Sequence, residues 1–144
     1  MLVDSNILLF AVDDSSRFHD RAAGWLAEQL NGSRRVGLPW QVLGAFLRIA
    51  TNPRAAEHPL SPEEAWAHLE AWLATDVAWI PAPTDRHAEV LGSLMVSYGL
   101  RGNLVSDAQL DALAVEHGLT IYSADTDFAR FREIEWENPV ASGM

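Results

Sequence analysis

The chain begins with the sequence MLVDSNILLF, residues 1–10, in which Asp4 is the only charged residue. An unpaired carboxylate in such apolar surroundings is costly unless hydrogen bonds or positive charge meet it. One interpretation is that Asp4 caps a helix that starts near Ser5, by accepting backbone N–H groups. The other is that Asp4 ends a central parallel strand and holds a divalent cation. The remaining acidic residues of the chain bear on this choice.

The composition is that of one globular domain spanning residues 1–144, with 49% hydrophobic residues. The absence of cysteine excludes disulfides and thiolate metal sites. No apolar run approaches the roughly 20 residues that a membrane helix needs, so we expect no membrane association. No basic region precedes the apolar residues 1–10, so we expect no secretory signal and a cytoplasmic location.

The ten basic residues are all arginines, and the formal net charge is −10. The absence of lysine argues against Schiff-base enzymes, phosphate-loop enzymes and the usual phospho-accepting aspartate domains. The negative charge argues against general attraction to nucleic acid, although it leaves room for a local group of arginines.

The hydrophobic pattern alternates between helices and short strands. Apolar spacing, prolines and glycines predict helices over residues 18–30, 39–51, 61–73, 84–98 and 106–117. Strands are predicted near residues 36–38, 77–80, 119–122 and 134–136. Ser61 and Ser106 each begin a capping-box spacing, Gly99 and Gly118 follow helices, and 100–105 is expected to be a loop.

Strands separated by helices of this length predict a mostly parallel sheet that helices cover on both faces. Ligands of such folds bind at the carboxyl ends of the strands, where the strand order reverses. Asp4 follows one predicted strand and Asp125 follows another. Both carboxylates are therefore expected at the same edge of the sheet.

Other carboxylates are candidates for the same site. Asp107 lies in the first turn of a predicted helix, where it also suits the helix dipole, and Asp125 and Asp127 are plausible turn-formers. For Asp111, one turn after Asp107, we favour a solvated helix face. Carboxylates gathered without cysteine or paired histidines favour a hard cation, Mg²⁺ or Mn²⁺. Such a site suits hydrolysis of a phosphodiester bond.

The chain resembles the PIN-domain ribonucleases and, more narrowly, the VapC toxins of bacterial type II toxin–antitoxin pairs. The resemblance covers nearly the whole chain and rests on an ordered set of motifs. These motifs are LVDSN at residues 2–6, FLRIATNP at 46–53, LVSDAQL at 104–110, EHG at 116–118 and SADTDFARF at 123–131.

The resemblance implies a three-layer α/β/α fold, Mg²⁺-dependent endoribonuclease activity, a homodimer and a VapB-type antitoxin as partner. By position it implies that Asp4, Asp107 and Asp125 are catalytic metal ligands and that Asp127 is a further ligand. Ser123 and Asn6 match small polar groups that help to arrange metal-bound water. Arg48 is a candidate either for contact with the RNA phosphate or for a surface salt bridge. We further expect arginines at the cleft rim, such as Arg48, Arg101 and Arg130.

One position departs from the family pattern. Many PIN domains carry a glutamate three residues before the arginine that matches Arg48, and here that position is Ala45. Gln41, one turn earlier, would be a poor ligand. The departure keeps open a second hypothesis, a degenerate, non-catalytic PIN domain that binds RNA or its antitoxin.

Two further expectations complete the sequence-based interpretation. A receiver or haloacid-dehalogenase domain also places aspartate after parallel strands, but both need a lysine near the site. For the antitoxin, we expect a cationic tail that lies near the helix predicted at residues 39–51 and uses Trp40, Leu43 and Phe46 as anchors. A basic side chain of that tail would reach Asp4 and Asp107.

Overall fold

A computed structural model describes residues 1–141 as a central sheet between two sets of helices. The sequence-predicted strands are present but short. Their order in the chain is β1 (Leu2–Val3), β2 (Val36–Gly37), β3 (Ala78–Trp79), β4 (Ile121–Tyr122) and β5 (Trp136–Glu137). The helices are α1 (Ser5–Val12), α2 (His19–Leu30), α3 (Trp40–Ala50), α4 (Pro62–Leu73), α5 (His87–Tyr98) and α6 (Leu104–His117). A 3₁₀ helix, Thr126–Arg130, joins β4 to β5.

All five strands are parallel, in the spatial order β3-β2-β1-β4-β5. The chain moves outward from β1 to β3 and then returns to β4 on the other side of β1. Because crossovers are right-handed, this reversal places α5 and α6 on the opposite face from α1 to α4. The helix contacts agree, since α1 packs on α2 and α3, and α5 packs on α6. The fold is thus the predicted three-layer α/β/α sandwich, and its switch point lies between β1 and β4.

The centre of the core is the pair β1 and β4 with the helix faces that cover them. Leu2, Val3 and Ile121 are fully buried, and Asp4 N–H donates to the carbonyl of Tyr122 at 3.0 Å, which continues the ladder to the strand end. Because the strand ends are fixed by burial on both faces, the side chains that follow them have a rigid support.

The local helix signals were confirmed where they depend on neighbours in the chain. Ser61 forms a complete capping box with Glu64, with bonds of 3.0 and 3.1 Å. Gly99 and Gly118 end α5 and α6 with left-handed φ values of 59° and 67°, which residues with a side chain rarely adopt.

Three expectations about the helices were wrong, one about where a helix begins and two about which residues are exposed. The helix α6 begins at Leu104, two residues before Ser106, so the capping-box spacing at Ser106 lies inside the helix. Leu43 and Phe46 are fully buried, because their side of α3 packs into the core, and neither can anchor a partner. Asp111 is also fully buried rather than solvated, because α6 is covered by α5 and by the 3₁₀ helix.

No helix among residues 1–141 combines the length and the apolar character needed to cross a membrane.

Candidate functional site

A cavity of about 370 Å³ opens at the carboxyl ends of β1 and β4. We call it the acidic cavity. It lies between the start of α1, the exposed side of α3 and the first turns of α6. Its lining residues are Asp4, Ser5, Asn6, Gln41, Val42, Ala45, Arg48, Ile49, Ser106, Asp107, Leu110 and Asp125. Asp4 and Asp125, expected at one sheet edge, therefore share one cavity with Asp107.

Asp4 caps α1 and also follows the end of β1, because β1 runs directly into α1. Its Oδ1 accepts the backbone N–H of Ser5 at 2.8 Å and caps α1, while its Oδ2 accepts the hydroxyl of Ser123 at 2.8 Å. Asn6 Nδ2 donates to the same Oδ2 at 3.3 Å. Burial raises the pKa of Asp4 above its usual value, although the bonds from Ser123 and Ser5 act in the opposite direction.

Asn6 and Ser123 hold the segment after β4 against the start of α1. Asn6 Nδ2 donates to Ser123 Oγ at 3.0 Å, and Asn6 Oδ1 accepts the N–H of Ala124 at 3.1 Å. The fully buried Ser123 Oγ also accepts the N–H of Asp125 at 3.0 Å. Asn6 lines the acidic cavity, whereas Ser123 is not among its lining residues, and the bonds of both side chains hold Asp4 and Asp125 in position.

Asp107, Asp125 and Asp127 form a compact acidic group. Each offers one carboxylate oxygen such that the three oxygens lie within 4.8 Å of one another. Asp125 Oδ1 accepts the N–H of Asp127 at 2.9 Å, so Asp125 also starts the 3₁₀ helix, as its turn-forming interpretation expected. Arg130 forms an ion pair with Asp127 at 3.2 Å and partly offsets the charge of the group.

The electrostatics of Asp107 show how crowded these charges are. Burial raises the pKa of Asp107 to about 7, and the negative charges of Asp125, Asp4 and Asp127 contribute in that order. Asp4 is therefore coupled electrostatically to Asp107 and to Asp125. Holding four carboxylates together without a counter-charge is unfavourable, and a divalent cation would relieve this repulsion.

The donor set fits a hard divalent cation. Every candidate ligand atom is a carboxylate oxygen, which Mg²⁺ and Mn²⁺ prefer. Opposite ligands of an octahedral Mg²⁺ ion lie about 4.2 Å apart, twice the ion–oxygen distance. The three oxygens of the acidic group, within 4.8 Å of one another, are near that separation.

The third helix supplies the neutral and basic side of the cavity. Ala45 lines the cavity, so the family's missing glutamate would have belonged to this site. Arg48, one turn later, lines the same wall and is exposed, as a group for phosphate contact must be. Of the other arginines expected at the rim, Arg130 lies near the acids through its ion pair with Asp127, and neither Arg130 nor Arg101 is among the cavity's lining residues.

Sequence reasoning missed one connection and misjudged one acid. Gln41 Nε2 donates to the carbonyl of Ser106 at 2.9 Å and ties α3 to the turn of α6 that carries Asp107. The sequence feature that indicated a role for Gln41 was its position, one turn before Ala45 on the same helix face. Asp111 is not part of the acidic group, and neither of its oxygens has a hydrogen-bond partner among the described residues.

Comparison with known proteins places this geometry in a family. The model of the PIN domain family matches residues 1–134. The chain is 43% identical to Ribonuclease VapC37 of Mycobacterium tuberculosis (strain ATCC 25618 / H37Rv) over 97% of both chains. It is 36% identical to Ribonuclease VapC33 of the same strain, over 97% of this chain and 98% of that one.

Solved structures support the fold. The chain is similar to the Mycobacterium tuberculosis toxin VapC20, described as cleaving the sarcin–ricin loop, with a TM-score of 0.66, 20% identity and coverage of 93% of this chain and 98% of that one. It is also similar to a chain of VapBC2 from Rickettsia felis, with a TM-score of 0.68, 16% identity and coverage of 95% and 96%. The family match, the relatives of similar length and the shared fold agree: this chain belongs to the PIN domain family and, within it, to the VapC ribonucleases.

Proposed function

We propose that this protein is the toxin of a type II toxin–antitoxin pair and hydrolyses RNA phosphodiester bonds with the help of Mg²⁺. The observation that carries the proposal is the meeting of Asp4, Asp107 and Asp125 in one cavity at the switch point of the sheet. The relatives named as VapC ribonucleases support the same activity.

The side chains have separate tasks in this proposal. Asp107, Asp125 and Asp127 bind the cation together with Asp4, which Ser5 and Ser123 hold at the wall of the cavity. The bound cation would lower the pKa of an attacking water and neutralise charge on the scissile phosphate. Arg48 approaches the phosphate from the opposite wall. Mn²⁺ has the same ligand preference and is a suitable replacement.

We infer a VapB-type antitoxin as the partner and the cytoplasm, where such RNA is found, as the place of action. Similar solved structures include VapBC2 of Rickettsia felis and a toxin–antitoxin complex from Klebsiella pneumoniae, which support this partner. We also expect a homodimer. Trp40, Trp66 and Val96 are exposed. Trp40, beside the acidic cavity, is a candidate apolar contact for the antitoxin, and Trp66 and Val96 are candidates for the homodimer.

The proposal is tested by incubating the purified protein with a mixture of labelled cellular RNAs. We expect endonucleolytic cleavage with Mg²⁺ or Mn²⁺ and none with EDTA. The Asp107→Asn variant should be inactive, whereas Asp85→Asn, an exposed aspartate outside the cavity, should cleave like the natural protein. Cleavage by Asp107→Asn at the natural rate would contradict the proposal.

The alternative is a non-catalytic PIN domain that binds RNA or its antitoxin. Ala45 favours it, because a cavity with three lining carboxylates and one alanine binds cations less tightly than one with a fourth acid. In that case RNA would bind without metal-dependent cleavage at any divalent cation concentration.

A further inference from the structure

A second cavity lies beside the acidic one and has the opposite charge. It has a volume of about 640 Å³, and we call it the arginine cavity. Its lining residues are Phe10, Arg17, Phe18, Arg21, Ala124, Asn138, Val140 and Ala141. Two of the ten arginines of this acidic chain are gathered here, and the lining contains no carboxylate.

The two cavities meet at one short segment of the chain. Ala124 lines the arginine cavity, and Asp125, the next residue, lines the acidic cavity. Asn6, in the wall of the acidic cavity, accepts the N–H of Ala124 at 3.1 Å. Asn138 is on the same edge of the sheet, because it follows β5, whose Glu137 carbonyl accepts the N–H of Ser123 at 3.0 Å. The two cavities thus adjoin at residues 124–125, and an RNA strand held in the acidic cavity has the arginine cavity as its neighbour there.

The charged and aromatic groups of the arginine cavity are held in place. The guanidinium of Arg17 lies 4.6 Å from the ring centroid of Phe18, and the rings of Phe10 and Phe18 are 4.9 Å apart. Arg21 donates to the carbonyl of Ala141. A guanidinium has five N–H donors, so both arginines keep donors for an anion. Because these groups are already positioned, binding would cost little additional ordering.

We propose that the arginine cavity binds a nucleotide of single-stranded RNA adjacent to the bond that is cleaved in the acidic cavity. Arg17 and Arg21 bind the phosphate, and Phe10 and Phe18 pack against the base or sugar. The inference rests on the proposed ribonuclease function and adds a place for the substrate next to the scissile bond.

Two features favour RNA over an acidic peptide as the occupant. A protein of net charge −10 repels a polyanion such as RNA, so RNA binding requires a local group of positive side chains. Aromatic faces beside arginines are the usual platform for unpaired bases, which gain stacking as well as ion pairing. An acidic peptide would use the charge but not the paired rings.

The test measures RNA affinity without cleavage, by fluorescence anisotropy of a labelled oligoribonucleotide in EDTA. The Arg17→Gln/Arg21→Gln double variant should bind about tenfold more weakly than the natural protein and show a smaller dependence of log Kd on log salt, since two phosphate contacts are lost. The control is Arg86→Gln, because Arg86 is exposed, precedes α5 and lines neither cavity. It should bind like the natural protein.

A length series locates the effect. An RNA cut back to the nucleotides of the acidic cavity should bind the double variant and the natural protein equally well, whereas longer RNAs should separate them. Phe18→Leu should weaken binding of the longer RNAs without changing the salt dependence. Thermal unfolding is followed in parallel. Because Arg21 supports residue Ala141, the single Arg17→Gln variant is the second test, with a loss of about threefold for one phosphate contact.

The inference is overturned if the arginine variants bind RNA as Arg86→Gln does. It is also overturned if they keep full RNA affinity but lose affinity for the antitoxin, which would assign the cavity to an acidic peptide. Failure of the natural protein to bind or cleave any RNA would instead contradict the proposed function. The two failures are therefore distinguishable.

Discussion

The hydroxyl of Ser123 donates a hydrogen bond of 2.8 Å to the carboxylate of Asp4, although 119 positions separate the two residues in the chain. The same oxygen accepts the N–H of Asp125 and the amide of Asn6, each at 3.0 Å. One hydroxyl thus uses all of its hydrogen-bonding capacity to join the acids that follow β1 and β4. This geometry makes Ser123 a positioning residue for both acids.

Removing that hydroxyl should make the positions of Asp4 and Asp125 less fixed, although the number of carboxylates in the site stays the same. We expect Ser123→Ala to lower the affinity for Mn²⁺ and kcat by about tenfold, and stability by roughly 1–3 kcal/mol, since buried polar groups lose their partner. The pKa of Asp4 should rise further, because the bond from Ser123 lowers it. Calorimetric titration and the pH dependence of cleavage measure these effects. The control is Ser93→Ala, at an exposed serine of α5, which should leave Mn²⁺ affinity, kcat and stability unchanged.

A second prediction separates the role of Asp107 in activity from its role in stability. Asp107→Asn should abolish cleavage and leave the melting temperature equal or higher. The folded-state pKa of Asp107, about 7, lies above its unfolded value, so the folded state binds the proton more tightly. Ionisation therefore costs stability as pH rises from about 4 to 7. The asparagine variant lacks this cost, so its advantage in melting temperature should be largest above pH 7. An unfolded variant would contradict the prediction.

The sequence predicted features that depend on neighbours in the chain. The capping box of Ser61, the helix-ending Gly99 and the acids after two strands each follow from local spacing or from the rule that parallel strands share a carboxyl edge. These signals were enough to find the three-layer fold and the acidic cavity.

The misjudged residues depend on what packs against a helix from elsewhere. Asp111 shares a helix face with Asp107, and spacing alone cannot show that α5 and the 3₁₀ helix cover it. Leu43 and Phe46 carry the same ambiguity, since an apolar helix face suits either the core or a partner. The arginine cavity joins residues of α1, of α2 and the turn before it, and of the segments that follow β4 and β5, which have no common motif.

The buried Asp111 leads to a third prediction, about stability and pH. Burial raises its pKa to about 7, and the negative charge of Glu133 adds to the effect. Its folded-state pKa is raised, so Asp111 costs stability as pH rises from about 4 toward 7, and the full cost is present above pH 7. We expect Asp111→Asn to raise the free energy of unfolding by roughly 1 kcal/mol at pH 8 and to have little effect at pH 5. Urea unfolding at both pH values measures this, and a variant destabilised at pH 8 would contradict it.

The alanine at the family's glutamate position leads to a fourth prediction. Since Ala45 lines the acidic cavity, Ala45→Glu should add a ligand and tighten Mn²⁺ and Mg²⁺ binding by about tenfold. Without metal, the added charge should lower the melting temperature, because it repels the existing acids. Gly44→Glu is the matched control, since Gly44 is exposed on the same helix and is not among the residues that line the cavity. Equal calorimetric affinities of the two variants would show that position 45 does not reach the cation.

The fifth prediction concerns the antitoxin. Charge complementarity predicts that a cationic tail crosses the acidic cavity and places an arginine or lysine near Asp4 and Asp107, where it would compete with the metal and block RNA. Of the three anchors expected from the sequence, Trp40 alone is accessible, with 52% of its surface exposed, and it adjoins Gln41 in the cavity wall.

A synthetic tail peptide should therefore bind several-fold more weakly in millimolar Mg²⁺ than in EDTA, because the peptide and Mg²⁺ compete for the same carboxylates. Asp107→Asn and Trp40→Ala should each weaken the peptide, the first through lost charge and the second through lost apolar contact. The exposed Trp66, on α4, is the control, and Trp66→Ala should leave the affinity unchanged. If the affinity is indifferent to Mg²⁺ and to Asp107→Asn alike, the inhibitor does not act through the acidic cavity.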